Sequence, residues 1–257
     1  VRSLEIQRIA FGERSVVQDL ITEEIALTLL VESRRLATLL CSPADLEDLV
    51  RGFLYCSRIV TRGDQVRQVV VNRAGASAFV ALDPGIDLDG LPLQGLVGSA
   101  CGSLAPAGGG EGPEEPLPPS PRLSAEQIMG LMQELDRRSE LHRRTGGVHA
   151  AALASPSGIL VFREDIGRHN AVDKAVGAWL GREGGFADKI LLCSGRLSSE
   201  ILSKALRCRI PVLVSRSAPT DRGVALARRF NLTLVGFARG RRLNIYSGAE
   251  RIVSPQS

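Results

Sequence analysis

Residues 105–121 most constrain what this chain can become. Ten of those seventeen residues are Pro or Gly, and three of the others are Glu. Pro removes a backbone donor and Gly adds conformational freedom, so the stretch cannot bury enough apolar surface to hold one conformation. The composition predicts a mobile linker at 105–121, between a unit at 1–104 and a unit at 122–257. With 257 residues, 44% of them hydrophobic and 23% charged, the chain can build a buried core without disulfide or metal staples.

The two units carry different patterns. Before the linker, 24–32 and 35–41 are apolar-rich runs separated by Ser33-Arg34, which predicts a hairpin. A helix follows, with Ser42 as its cap, Pro43 in its first turn and Asp45 near its positive end. Its apolar residues Leu46, Leu49, Val50, Phe53 and Leu54 fall at helical spacing. Strands at 66–71 and 78–82 make this smaller unit mostly β. After the linker, Ser124 and Gln127 form a capping box ahead of Ile128, Leu131 and Leu135, predicting a helix to about Glu140. From Thr145 onward strand and helix alternate. Strands at 148–154 and 159–163 turn around Pro156-Ser157-Gly158. Helices at 170–180, 198–208 and 221–230 then alternate with strands at 189–193, 211–214 and near Leu234 and Ile245. This is the pattern of a layered α/β domain, whose ligands sit beyond the carboxyl ends of the strands.

Charge is divided as unevenly as structure. Residues 196–251 hold twelve Arg or Lys and three acids, whereas the rest of the chain holds twenty bases and twenty-five acids. Such asymmetry points to an anionic partner, either a nucleic acid or a phosphorylated ligand. Phe237-Ala238-Arg239-Gly240-Arg241-Arg242 sets three arginines around a glycine at a strand end, and arginine forks match phosphate oxygens in two-bond geometry. With Arg196 and Arg216 at neighbouring strand ends, a di- or polyphosphate ligand is favoured. The 4% aromatic content leaves little for stacking bases and weighs against nucleic acid. No apolar run nears the ~18 residues of a spanning helix, and no export leader opens the chain, so a cytoplasmic protein without a membrane partner is expected.

The five cysteines, Cys41, Cys56, Cys101, Cys193 and Cys208, form no C-x-x-C pair. Neither a disulfide framework nor a zinc knuckle is indicated, and reduced thiols are expected. Cys41, Cys193 and Cys208 lie in or beside apolar elements and read as buried hydrophobes. Cys101 differs: Gly98-Ser99-Ala100-Cys101-Gly102-Ser103 is a small-residue loop in which a thiol can be approached closely. Two polar clusters complete the candidates. Thr145-Gly146-Gly147-Val148-His149 could turn backbone amides toward an anion. Residues 164–174, E-D-I-G-R-H-N-A-V-D-K, crowd acids, cations, an imidazole and an amide at a helix start, where Asn170 or Asp165 could cap. Hairpin, helix, strand, helix is also the layout of zinc deaminases, which need H-x-E and P-C-x-x-C. Here Ala171 follows His169-Asn170, and Cys193-Ser194-Gly195-Arg196 lacks the second thiolate, so neither the metal nor its acid/base can be assembled.

Five motifs in order, T-G-G-V-H-A-A-A (145–152), E-D-I-G-R-H-N-A-V-D-K (164–174), S-G-R-L-S-S-E (194–200), P-V-L-V-S-R-S-A-P-T (211–220) and G-F-A-R-G-R-R-L-N-I-Y (236–246), resemble the FdhD/NarQ family of formate dehydrogenase accessory sulfurtransferases. The resemblance implies a cytidine-deaminase-like α/β domain preceded by the smaller, mostly β unit. It implies a persulfide accepted from a cysteine desulfurase on Cys101 and passed to bis-molybdopterin guanine dinucleotide, the molybdenum cofactor of formate dehydrogenase. Phe237, Ala238, Arg239, Gly240, Arg241 and Arg242 fall on the family's cofactor-binding stretch; no resident metal is implied, and a homodimer is left open. One departure matters. Leu104 stands where the family commonly carries the second cysteine of a C-x-x-C, so a cofactor-binding chaperone without sulfur transfer is the alternative.

Overall fold

Two sheets face each other across a pair of crossed helices. In the computed structural model, residues 1–88, 95–97, 117, 119–182 and 184–253 are described. The chain opens with a hairpin of β1 (Arg2–Ala10) and β2 (Glu13–Ile21). A five-stranded sheet follows, built from β3 (Ile25–Val31), β4 (Arg34–Cys41), β5 (Val66–Asn72), β6 (Ser77–Leu82) and β7 (Gly95–Val97) in the order β5-β6-β3-β4-β7. Helix α1 (Leu46–Cys56) covers one face of it. The buried Leu27, Leu29, Leu39, Leu49, Val50, Phe53 and Val80 fill the space between.

The second half begins with β8 (Leu123–Ser124), α2 (Ala125–Arg138) and α3 (Glu140–Thr145). The capping box on α2 forms as expected: Gln127 N donates to Ser124 Oγ and Ser124 N to Gln127 Oε1. Then come β9 (His149–Ser155), β10 (Gly158–Asp165), α4 (Arg168–Leu180), β11 (Ile190–Cys193), α5 (Ser199–Arg207), β12 (Val212–Ser215), α6 (Asp221–Arg229), β13 (Thr233–Arg239) and β14 (Arg242–Ser247). The short β15 (Ile252–Val253) returns to pair with β8. The six main strands form one mixed sheet, β10-β9-β11-β12-β13-β14, in which β11, β12 and β13 are parallel. The alternation expected from Thr145 onward is thus present element for element, within a residue or two at the ends. Most of 105–121 lies outside the described residues. Leu117, near its end, is buried and its backbone N–H donates to the Phe230 carbonyl. Among the described residues no helix is long and apolar enough to cross a membrane.

The halves join where α1 crosses α4. A Cβ added at Gly52 would collide with the Asp173 carbonyl, and one at Gly177 with the Asp48 carbonyl, so each helix presses bare backbone on the other. Beside this crossing lies a buried ionic cluster. Lys174 Nζ is 2.6 Å from Asp165 Oδ2, and both side chains are fully buried. Ser42 does not cap α1 as expected. Its N–H and hydroxyl donate to Asp165 Oδ2 at 3.0 Å each, while Asp45, in left-handed backbone conformation, precedes the helix without a side-chain cap. Asn170 Nδ2 adds bonds to the Leu40 carbonyl and to Asp165 Oδ1. A second pair, Lys204 Nζ to Asp173 Oδ2 at 2.5 Å, ties α5 to α4.

Two outcomes follow from this joint. Gly52→Ala or Gly177→Ala must force two helix backbones apart, and should cost about 3 kcal/mol or more in urea unfolding, at the upper end of overpacking penalties. Lys174→Ala leaves a buried carboxylate without its cation and should cost about 3–5 kcal/mol in the same assay. A loss under 1 kcal/mol in either would contradict the packing described.

Candidate functional site

The topology brings every polar motif to one edge of the six-stranded sheet. Strands β11, β12 and β13 are parallel, so Ser194, Ser215 and Arg239 emerge together. Strand β9 runs antiparallel to β11, so His149 at its start joins them. So do Asp165, which pairs with His149, and Arg242, which pairs with Arg239. Helices α4, α5 and α6 all start from this edge, which concentrates the positive ends of three helix dipoles there. Five strand spacings of about 4.8 Å make the edge about 24 Å long.

Serines stitch the loops together. Ser194 Oγ accepts the N–H of Ala150 at 2.9 Å and lies 3.3 Å from His149 Nδ1. Ser215 Oγ donates to the Gly195 carbonyl at 2.6 Å and accepts the Ser217 N–H at 3.0 Å. The Ser217 carbonyl in turn accepts the Phe237 N–H at 3.1 Å. The three strand-end loops are therefore held in fixed relation from β9 to β13. These serines had no assigned role in the sequence; their signal was a Ser just after or at the end of successive parallel strands.

The six residues Phe237–Arg242 end β13 and turn into β14. Phe237 sits at φ 52°, a left-handed conformation that strains a non-glycine residue by about 1 kcal/mol or more and interrupts regular pairing. Its ring lies beneath two guanidinium groups, with Arg239 5.8 Å and Arg242 5.5 Å from the ring centroid. Gly240, at φ +64°, makes the tight turn, and Arg239, Gly240, Arg241 and Arg242 are all exposed. Ala238 points inward instead, 1% exposed in the core. The turn thus presents three exposed cations, two of them on an aromatic base.

The polar clusters divide between scaffold and site. The amides of Gly146 and Gly147 do not converge on a ligand: they donate to the His142 carbonyl and Thr145 Oγ1, closing the end of α3. In the 164–174 motif, Glu164 accepts the amides of Leu141 and His142 at the start of α3. Asp165, Asn170, Asp173 and Lys174 serve the joint described above. Arg168 and His169 remain for the site edge, and Arg168 packs against Gly195. His169 is fully buried, and its Nε2 lies 3.0 Å from Glu200 Oε2, off the line of a hydrogen bond. Burial, then the cations Lys204 and Arg168 and the neighbouring His149, lower its pKa to about 3, so the ring is neutral. His149 is also shifted down, first by burial and then by Arg168.

The basic segment divides in the same way. Arg251 is fully buried and donates to Thr233 Oγ1 and the Leu117 carbonyl, and Arg207 donates to the Cys56 carbonyl. Lys204 is consumed by Asp173, and Arg216 pairs with Asp136 at 3.0 Å. Cys101 and its loop, together with Leu104, lie outside the described residues. The other four cysteines are buried. Burial pushes the thiols of Cys41 and Cys193 up to about 12, and Cys56, hydrogen-bonded to Cys208, is raised well above its ordinary value.

Comparison with known proteins shows whole-chain similarity to one family. The model of the FdhD/NarQ family matches residues 22–253. The Sulfur carrier protein FdhD of Halalkalibacterium halodurans is 36% identical over 96% of this chain and 94% of its own length. The protein of the same name from Staphylococcus aureus is 35% identical over 98% of this chain and 96% of its own. A crystal structure of a formate dehydrogenase accessory protein from Desulfotalea psychrophila superposes with a TM-score of 0.79. It is 26% identical and covers 98% of this chain and 99% of that one.

The neutral, buried His169 sets a pH dependence. An unfolded chain protonates this ring below about pH 6.5, whereas the fold resists protonation down to about pH 3. Stability attributable to His169 is therefore lost as pH falls through that window, by up to about 1.4 kcal/mol per pH unit. His169→Gln should flatten the slope of urea-derived stability between pH 6.5 and 4 relative to the wild type. Equal slopes would show that the ring titrates normally.

Proposed function

Because this chain belongs to the FdhD/NarQ family, we propose that it is a sulfur carrier serving formate dehydrogenase, with Cys101 as the carrier thiol and the Phe237–Arg242 turn as the cofactor cradle. The relatives' names support the coarser part of this reading, a sulfur carrier tied to formate dehydrogenase. The observation that carries the finer part is the set of three exposed guanidinium groups at the Phe237–Arg242 turn, two of them over the Phe237 ring, at the sheet edge from which three helices start. Guanidinium forks and helix N-termini both favour phosphate oxygens. The cargo proposed is bis-molybdopterin guanine dinucleotide, whose length and diphosphates suit an edge of about 24 Å. The α/β half then serves as a cytidine-deaminase-like scaffold that has exchanged metal chemistry for cofactor binding.

For the sulfur step, the Cys101 thiolate attacks the outer sulfur of a cysteine desulfurase persulfide. A new Cys101 S–S bond forms as the donor's S–S bond breaks, and the donor cysteine leaves as thiolate. Burial of the other four cysteines supports this assignment, since nucleophilic sulfur chemistry needs an accessible thiolate. Leu104 favours a second reading, cofactor binding without sulfur transfer, because the loop lacks a thiol that would release the sulfur as a disulfide forms.

Labelled sulfur separates the two. Incubation with a desulfurase and labelled cysteine should place the label on Cys101 by mass spectrometry, and Cys101→Ala should abolish both labelling and activation of formate dehydrogenase. Full labelling and activation in that variant would end the carrier role. For the cradle, Arg239→Ala/Arg241→Ala should weaken GDP, a stand-in for the dinucleotide end, roughly tenfold or more by calorimetry. Unchanged affinity would place the cofactor elsewhere.

A further inference from the structure

Glu200 is the acid that the basic edge does not explain. It sits in the first turn of α5, just past the end of β11, with its carboxylate half-exposed among arginine-rich loops. Its neighbour, 3.0 Å away, is the neutral imidazole of His169, which does not cancel its charge. Behind it, the ring nitrogens of the fully buried His169 make no hydrogen bond among the described residues, and neither does the buried Ser198 Oγ at the helix start. The first amides of α5 also lack intrahelical acceptors by the geometry of any helix. An acceptor carboxylate, a hydroxyl and backbone donors thus share the start of α5.

A phosphate does not suit this set, because the carboxylate would repel it. A neutral heterocycle edge does. Where a ring N–H and an amino group stand side by side next to a carbonyl, a carboxylate accepts both N–H groups and a helix amide donates to the carbonyl. Guanine and pterin share that edge. We propose that Glu200, lying beside the His169 ring, reads the amino-oxo edge of the cargo's guanine or pterin ring. The proposal rests on the cofactor reading above. Its spacing is consistent: β11 lies two strand spacings, about 10 Å, from β13, whose turn would hold the phosphates.

Three nucleotides differing only at the amino position test it by calorimetry on the full chain: GDP, IDP, which lacks the amino group, and XDP, which carries an oxo group there. The wild type should bind GDP roughly tenfold more tightly than IDP, the loss expected for one charge-assisted hydrogen bond. Glu200→Gln should weaken GDP more than IDP, which offers only the ring N–H, so that the preference falls, and should gain XDP, since its amide N–H can donate to the new oxo group. The pterin source has its own arm: 6-hydroxymethylpterin binding, followed by fluorescence, should weaken in Glu200→Gln if that ring occupies the site. Wild-type GDP and IDP affinities that are equal, with pterin binding insensitive to Glu200, would overturn the proposal. Arg239→Ala/Arg241→Ala should weaken all three nucleotides together without changing their order, so a failed cradle and a failed edge reader give different patterns. No binding of any nucleotide or pterin to the wild type would overturn both.

Discussion

Everything at the sheet edge depends on the contact between α1 and α4. Helices normally pack 8–10 Å apart, with side chains between them. Here Gly52 and Gly177 remove that spacer, and each helix meets a carbonyl of the other. The close approach brings Ser42, at the entrance to α1, within reach of Asp165, at the entrance to α4. A buried ion pair alone is a weak source of stability, because desolvation opposes the attraction. The Asp165–Lys174 pair is offset by hydrogen bonds from Ser42, Gly167 and Asn170, so neither ion is left bare. Its consequence is orientation: the first turn of α4 is locked, and with it Arg168 and His169.

This explains why polar groups crowd so densely into residues 164–174. A single short segment performs two tasks with alternating residues. Asp165, Asn170, Asp173 and Lys174 face the joint, and Arg168 and His169 face the edge. The basic surplus between 196 and 251 is divided by the same logic, with Lys204, Arg207 and Arg251 turned inward to satisfy carbonyls, hydroxyls or carboxylates. Charge counted along a sequence overstates what reaches a ligand. The surface share is smaller, and it includes Arg239, Arg241 and Arg242 at the turn between β13 and β14.

The second half was legible because its strands are short, apolar and bounded by Ser, Gly and Pro, and its helices α2, α5 and α6 carry clean apolar stripes. The capping box at Ser124 is local chemistry, and it appears where its spacing put it. Relations between distant residues were not legible. Ser42 carries the same local signal whether it caps α1 or bonds Asp165, which lies 123 residues away. The tertiary partner is charged and buried, and it wins. The Thr145-Gly146-Gly147 turn could equally have cradled an anion; a helix end supplied the acceptors first. The β1–β2 hairpin also escaped notice. Its strands alternate poorly, and Leu4, Ile9 and Val16 remain exposed. Glu200 was visible only as part of a motif, and its environment, a neutral buried imidazole, exists only in three dimensions.

The placement of thiols fits the persulfide-carrier role proposed above. A persulfide exchanges with any accessible thiolate, so a carrier with several reactive cysteines would distribute its sulfur among them. Here desolvation suppresses the thiolate at Cys41 and Cys193, a hydrogen bond with Cys208 and then burial do so at Cys56, and Cys208 is buried with Cys56 in the main core. Such cysteines pack as small apolar side chains and stay inert. The same core that fixes the joint between the halves thereby removes competing nucleophiles. That selectivity needs no second thiol near Cys101, and a chain with Leu104 in place of a resolving cysteine keeps it intact.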